Sequence, residues 1–136
     1  MSKQIYVNLP VKDLKRSIEF FTNLGFKFNP QFTDENATCM IIGENIFVML
    51  LVEKFFKTFT KKEITDSSKS TEVILCLSAD SREEVDEMVS KAIEAGGSAP
   101  KDEKQESEWM YGHGFQDIDG HLWEIMYMDE SAMPKD

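Results

Sequence analysis

The chain has 136 residues, 41% of them hydrophobic and 11% aromatic, and a formal net charge of -10 at pH 7. That length suits one domain, or two small half-domains sharing a core, and the composition is that of a globular protein with a real apolar interior. The acidic balance argues against a nucleic-acid partner, because phosphate binding rests on Lys and Arg, and no apolar run approaches the roughly 20 residues a membrane-spanning helix needs.

The opening MSKQIYVNLPVKD has no apolar segment ending in a small-residue cleavage site, so no signal peptide is read there. Cys39 and Cys76 lie in apolar, strand-like stretches and are expected as reduced, buried thiols. These features predict a soluble cytoplasmic protein with no membrane partner. Its charge would mildly attract cationic ligands.

Gln4 to Val11 reads as a strand, with Ile5, Val7 and Leu9 on one face and Tyr6 and Asn8 on the other. Pro10 belongs at or past its hydrogen-bonded end. Asp13 is a helix N-cap, and Leu14, Ile18, Phe21 and Leu24 recur at helical spacing up to the stop at Gly25. Phe26 to Phe28 start a strand, and Cys39–Ile42 with Ile46–Leu51 form a hairpin around Gly43-Glu44-Asn45. The first segment is therefore β-α-β-β-β.

Residues 52–71 change character to a lysine-rich stretch ending in a Ser/Thr/Lys run. Phe55, Phe56 and Phe59 suit one amphipathic turn docked on the body. A connector of this length is either a plain linker or a lid over a ligand. Glu72 to Ala79 is the next strand. Ser81 then opens a helix as N-cap, with Glu84 reaching back to complete a capping box. Val85, Met88, Val89, Ala92 and Ile93 make its apolar face, and Gly96-Gly97 end it. Ser98 to Pro100 begin a strand, and Lys101 to Glu108 form a charged turn. The stretch GFQDIDGHLWEIMYMD, 114–129, is a hairpin about Asp119-Gly120. Its second arm holds one acid, Glu124, among hydrophobes. Such a carboxylate must be solvated, paired or bound to something.

The second segment is again β-α-β-β-β, so the chain is a tandem repeat. The modules run from about 4 to 56 and 72 to 129, joined by a linker and followed by a tail at 130–136. The fold class is α+β: two βαβββ modules form a curved, partly closed mixed sheet around a cavity, with helices on the outer face.

This layout resembles the vicinal oxygen chelate superfamily, which includes glyoxalase I, bleomycin-resistance proteins, fosfomycin-resistance enzymes and extradiol dioxygenases. The stretches that carry the resemblance are VNLPVKDLKRSIEFFTNLGFKF and GFQDIDGHLWEIMYMD. They are similar to the family's strand-Asp-Leu-helix-Leu-Gly entry and its Asp-Pro-Asp-Gly hairpin, with Ile118 where the family usually has Pro. The resemblance covers nearly the whole chain and says more about fold than about reaction.

The family's metal-dependent members hold a divalent ion on His and Glu side chains, and the ion acts as a Lewis acid. Carried onto this chain, the four ligand positions fall on Tyr6, Met49, Ile74 and Glu124. Met and Ile do not hold a hard or borderline cation. No metal or other cofactor is therefore expected, although an atypical divalent site stays open. His121 follows the turn glycine and reads as solvent-facing, while His113 is either a rim histidine or one that reaches Glu124 from the neighbouring arm.

Candidate catalytic residues are thus Glu124, Tyr6 and His113. By the family correspondence, Asn8, Phe47, Met49, Ile74, Cys76, Leu122 and Met126 line the cavity, an apolar set suited to a small molecule. The alternative is a collapsed interior, with Glu124 bonded to Tyr6 or to a backbone amide. Three functions compete. One is a metal-free protein binding a small apolar or aromatic molecule, in the manner of the bleomycin-binding members. Another is a glyoxalase-like lyase or isomerase using Glu124, and the last is an interaction domain with a vestigial cavity. The resemblance also implies a homodimer.

Overall fold

The computed structural model describes residues 3–99 and 104–134. The chain divides between Asp66 and Ser67 into two compact units. In the first, β1 (Ile5–Val11) leads to α1 (Leu14–Asn23), β2 (Lys27–Asn29), β3 (Ala37–Gly43) and β4 (Ile46–Val52). In the second, β5 (Ile74–Ala79) leads to α3 (Arg82–Glu94), β6 (Gln105–Glu106), β7 (Met110–Gln116) and β8 (Leu122–Met128). Between these sets lie the short α2 (Glu53–Phe56) and a 3-10 turn at Lys57–Phe59.

The repeat is visible in the pairing. One sheet has the order β1-β4-β3-β2 and the other β5-β8-β7-β6. In each, the first strand runs parallel to the last, and the remaining pairs are antiparallel. The α+β architecture is thus two four-stranded mixed sheets, neither of them closed.

In the first unit the core lies between α1 and its sheet. Leu14, Ser17, Phe20, Phe21 and Leu24 are buried on α1, facing a strand set that includes Leu9, Val11, Met40, Val48 and Leu50. The apolar stripe read from the sequence is corrected here. Ser17 and Phe20 take the central positions, and Ile18 is only half-buried. Pro10 sits inside β1, opposite Leu51. It is tolerated because β1 is an edge strand of its sheet, where one side needs no ladder donor. Phe59 is another correction, at 69% exposed rather than docked on the body.

In the second unit Val85, Val89 and Ala92 of α3 are buried, as are Tyr111, Phe115, Trp123 and Ile125 of the sheet, but Ile93 is about half exposed. The Ser81 hydroxyl accepts the Glu84 N–H at 3.1 Å. Glu84 reaches back to the Asp80 N–H at 2.7 Å, one residue earlier than in the standard capping box. Gly96 closes the helix at φ +111, a conformation only glycine adopts cheaply. The strand expected at Ser98 is reduced to a bridge with Gln116, and the described part of the charged turn supplies β6 instead. Pro100 and residues 101–103 lie outside the described residues.

Candidate functional site

Register pairs decide which side chains share a sheet face, because successive residues of a strand alternate between faces. In the second unit, Cys76, Glu124 and Gly114 form one row. Ile74, Leu122 and Gln116 lie on one side of it, and Ser78, Met126 and Gly112 on the other. Trp123 and Ile125 point the opposite way and are 1% and 2% exposed. The face carrying Glu124 is the open one, with Cys76 exposed and Ile74 55% exposed.

Glycine shapes this face. A Cβ placed on Gly114 would stand 2.8 Å from the Trp123 carbonyl oxygen and 2.9 Å from Glu124 Oε1. The carboxylate therefore folds across β7 where a side chain is missing. At Gly112 an added Cβ would meet Met126 Sδ at 2.8 Å, so the thioether lies across the strand in the same way. Among the described residues the half-buried Glu124 carboxylate makes no hydrogen bond or ion pair. The alternative bond to a backbone amide of its own unit is not formed among the described residues. Partial burial first, and the Glu124 charge second, push the Cys76 thiol up. It stays protonated at neutral pH. Cys76 is thus a free, exposed thiol rather than a buried one, whereas Cys39 is buried as expected.

In the first unit, Tyr6 stands opposite Phe47 and Asn8 opposite Met49. The Tyr6 and Phe47 rings stack, with centroids 4.8 Å apart and planes 15° apart. The Tyr6 hydroxyl donates to Gln4 Oε1 at 3.1 Å, and Asn8 Nδ2 donates to the Tyr6 carbonyl at 3.3 Å. Tyr6 is 45% exposed, so the stacked pair presents an aromatic surface to solvent.

His113 does not join Glu124. It stands opposite Ile125, on the α3 side of the sheet, while its neighbours Gly112 and Gly114 hold the Glu124 side. The strand's alternation therefore separates the two residues by the thickness of the sheet. His113 Nε2 is buried, without a hydrogen-bond partner among the described residues. It lies near Asp86 of α3 and is the smallest of the influences on that carboxyl.

Asp86 belongs to a polar cluster that sequence reasoning missed. The Tyr111 hydroxyl donates to Asp86 Oδ1 at 2.5 Å, and Lys104 Nζ lies 3.2 Å from the same oxygen. The hydrogen bond from Tyr111 is the largest cause holding the Asp86 carboxyl below its ordinary range. The Arg82 guanidinium sits 5.4 Å from the Tyr111 ring centre and 6.0 Å from that of Tyr127. Acids and bases spaced along α3 and β7 gave no motif, since only tertiary packing brings them together.

Asp117 was also missed. Its Oδ1 accepts the N–H groups of Asp119 and His121, and its Oδ2 accepts Trp123 Nε1 at 3.0 Å. Burial pushes its carboxyl up, opposed most strongly by His121. It is the internal cap of the hairpin. The Asp-Ile-Asp-Gly run was the available signal for it.

The four positions carried over as metal ligands offer Tyr, Met, Ile and Glu. Among the described residues no group of three or more His, Cys, Asp or Glu side chains is arranged to hold a metal ion. This donor set does not fit the divalent ion of the family's metal-dependent members.

A family model described as bleomycin resistance protein-like N-terminal matches residues 3–43. The solved structure of hypothetical protein SA1046 from S. aureus is 32% identical, covers 93% of this chain and 94% of its own, and superposes with a TM-score of 0.78. A glyoxalase/bleomycin resistance protein/dioxygenase family enzyme from Burkholderia phytofirmans PsJN is 18% identical, covering 93% of this chain and 99% of its own, with a TM-score of 0.78. The chain thus shares the fold of glyoxalase/bleomycin resistance/dioxygenase structures, and its residues 3–43 resemble the bleomycin resistance protein-like N-terminal family. Its fold is also shared by TnmS3, an antibiotic binding protein from Streptomyces sp. CB03234. That structure is 19% identical, covers 94% of this chain and 97% of its own, and has a TM-score of 0.63. No functionally curated protein matches the chain.

Proposed function

We propose that this protein is a metal-free binding protein for a small, largely apolar or aromatic molecule that carries a cationic or hydrogen-bond-donating group. The observation that carries the reading is Glu124, a carboxylate without a protein partner among the described residues, on an open face with Ile74, Cys76, Leu122 and Met126. Gly112 and Gly114 leave room beside it. A few polar handles on an apolar surface are what small-molecule sites use to orient a ligand. Within the first unit, the stacked Tyr6–Phe47 pair offers an aromatic surface of its own, with Asn8 on the same face.

The donor chemistry favours binding over metal-assisted catalysis. One carboxylate with Tyr, Met and Ile does not outcompete water for a catalytic divalent ion. TnmS3 is described as an antibiotic binding protein, which is consistent with a binding role for this fold. Acid-base catalysis through a His113-Glu124 pair has lost its geometric basis, because the two residues lie on opposite faces. Glu124 and Tyr6 remain as candidate acid-base groups.

The test is thermal stabilisation by a panel of aromatic, cationic and neutral compounds, run with and without a chelator. A native-state ligand raises stability by mass action, so saturable stabilisation unaffected by chelator is expected. Stabilisation by divalent metal alone would contradict the reading.

A further inference from the structure

The lysine-rich residues 54–62, after β4, lie in the first unit. Between Lys54 and Lys62 the chain reads KFFKTFTKK, four lysines and three phenylalanines with no acid, in a protein of net charge -10. All four lysines are exposed, and among the described residues none of them makes an ion pair. Phe59 is 69% exposed and held edge-to-face against Phe55, with ring centres 5.3 Å apart. Glu53, Lys54, Lys57, Glu63 and Ile64 line a surface recess of about 560 Å3, within the size range of ligand-binding clefts.

We propose that this arm and its recess dock an acidic peptide segment of a partner protein, with carboxylates on Lys54, Lys57 and Lys61 and apolar side chains against Phe59 and Ile64. Charge complementarity selects the occupant. A short peptide meets only the local field, because salt screens charges beyond roughly 8 Å at physiological ionic strength. An extended anionic surface, such as a lipid bilayer, would also meet the repulsion of the acidic remainder of the chain. Glu53 and Glu63 bound the basic run, so the occupant's carboxylates are confined to the stretch between them. Exposed aromatic surface beside the lysines supplies the apolar anchor that such contacts need.

The probe is a fluorescein-labelled peptide, Glu-Leu-Glu-Phe-Glu-Leu-Glu, titrated with the full chain at physiological ionic strength and read by anisotropy. Saturable binding is expected, with the charge-reversed peptide Lys-Leu-Lys-Phe-Lys-Leu-Lys held less tightly by the segment. The double variant Lys57→Glu/Lys61→Glu should weaken the acidic peptide by about tenfold and favour the basic one, as steering and pairing charges reverse. Lys57→Gln/Lys61→Gln, with a melting curve matching the parent, separates lost charge from lost fold. Four outcomes would overturn the proposal. These are no saturable binding of the acidic peptide, binding unaffected by either double variant, capture by phosphatidylserine vesicles without peptide binding, and self-association abolished by the same charge reversal.

Discussion

Glu124 keeps its carboxylate above an apolar face because Gly114 gives it room across the neighbouring strand. Gly114→Ala puts a methyl group 2.9 Å from Glu124 Oε1 and 2.8 Å from a carbonyl oxygen that cannot swing away. We expect it to destabilise the protein by about 1–3 kcal/mol, the usual range for overpacking, and to abolish ligand-induced stabilisation. Denaturant unfolding and the ligand panel read the two effects; an alanine variant of parental stability would contradict the close approach. Asp86 makes a pH prediction. Its carboxyl is held below the ordinary value of 3.8, chiefly by the Tyr111 hydrogen bond. A depressed carboxylate stabilises the folded state above its unfolded pKa, and that contribution fades as pH falls through the folded value. Asp86→Asn should therefore cost stability at pH 7 and progressively less as pH drops below 3.8, measured by urea unfolding across the acid range. A variant whose deficit is constant with pH would break the link to ionisation.

At the level of elements, the repeat was legible because punctuation residues recur at matching places. Ser81 and Glu84 form side-chain to backbone bonds at the start of α3, and Gly96 takes the left-handed conformation at its end. Ser81→Ala should cost about 1 kcal/mol, as N-cap deletions do, with denaturant titration as the check. What stayed hidden were features that depend on packing across elements. Two adjacent phenylalanines, Phe20 and Phe21, both enter the core, which blurs the helical stripe, while polar Ser17 occupies a central buried position. Gly112 and Gly114 flank His113 in the sequence. In the fold they clear the face for Glu124 and Met126, and the same alternation sends His113 to the other side. Residue types named the candidate face, but only the register showed which neighbours each residue meets.

On the scale of the whole molecule, the fold is settled by the chain's own topology and by its likeness to a solved structure 32% identical to it. The proposed function rests on what one face of the second sheet retains. Homodimerisation remains a proposal from the family resemblance, and light scattering should return twice the chain mass; a monomer would contradict it. The central claim is that Glu124 serves an organic ligand rather than a metal. Its most direct test is the metal content of the purified protein, compared between wild type and Glu124→Ala. The account predicts metal far below one equivalent in both, with organic-ligand stabilisation present in the wild type and lost in the variant. One equivalent of divalent metal, retained by the wild type and lost in Glu124→Ala, would contradict it.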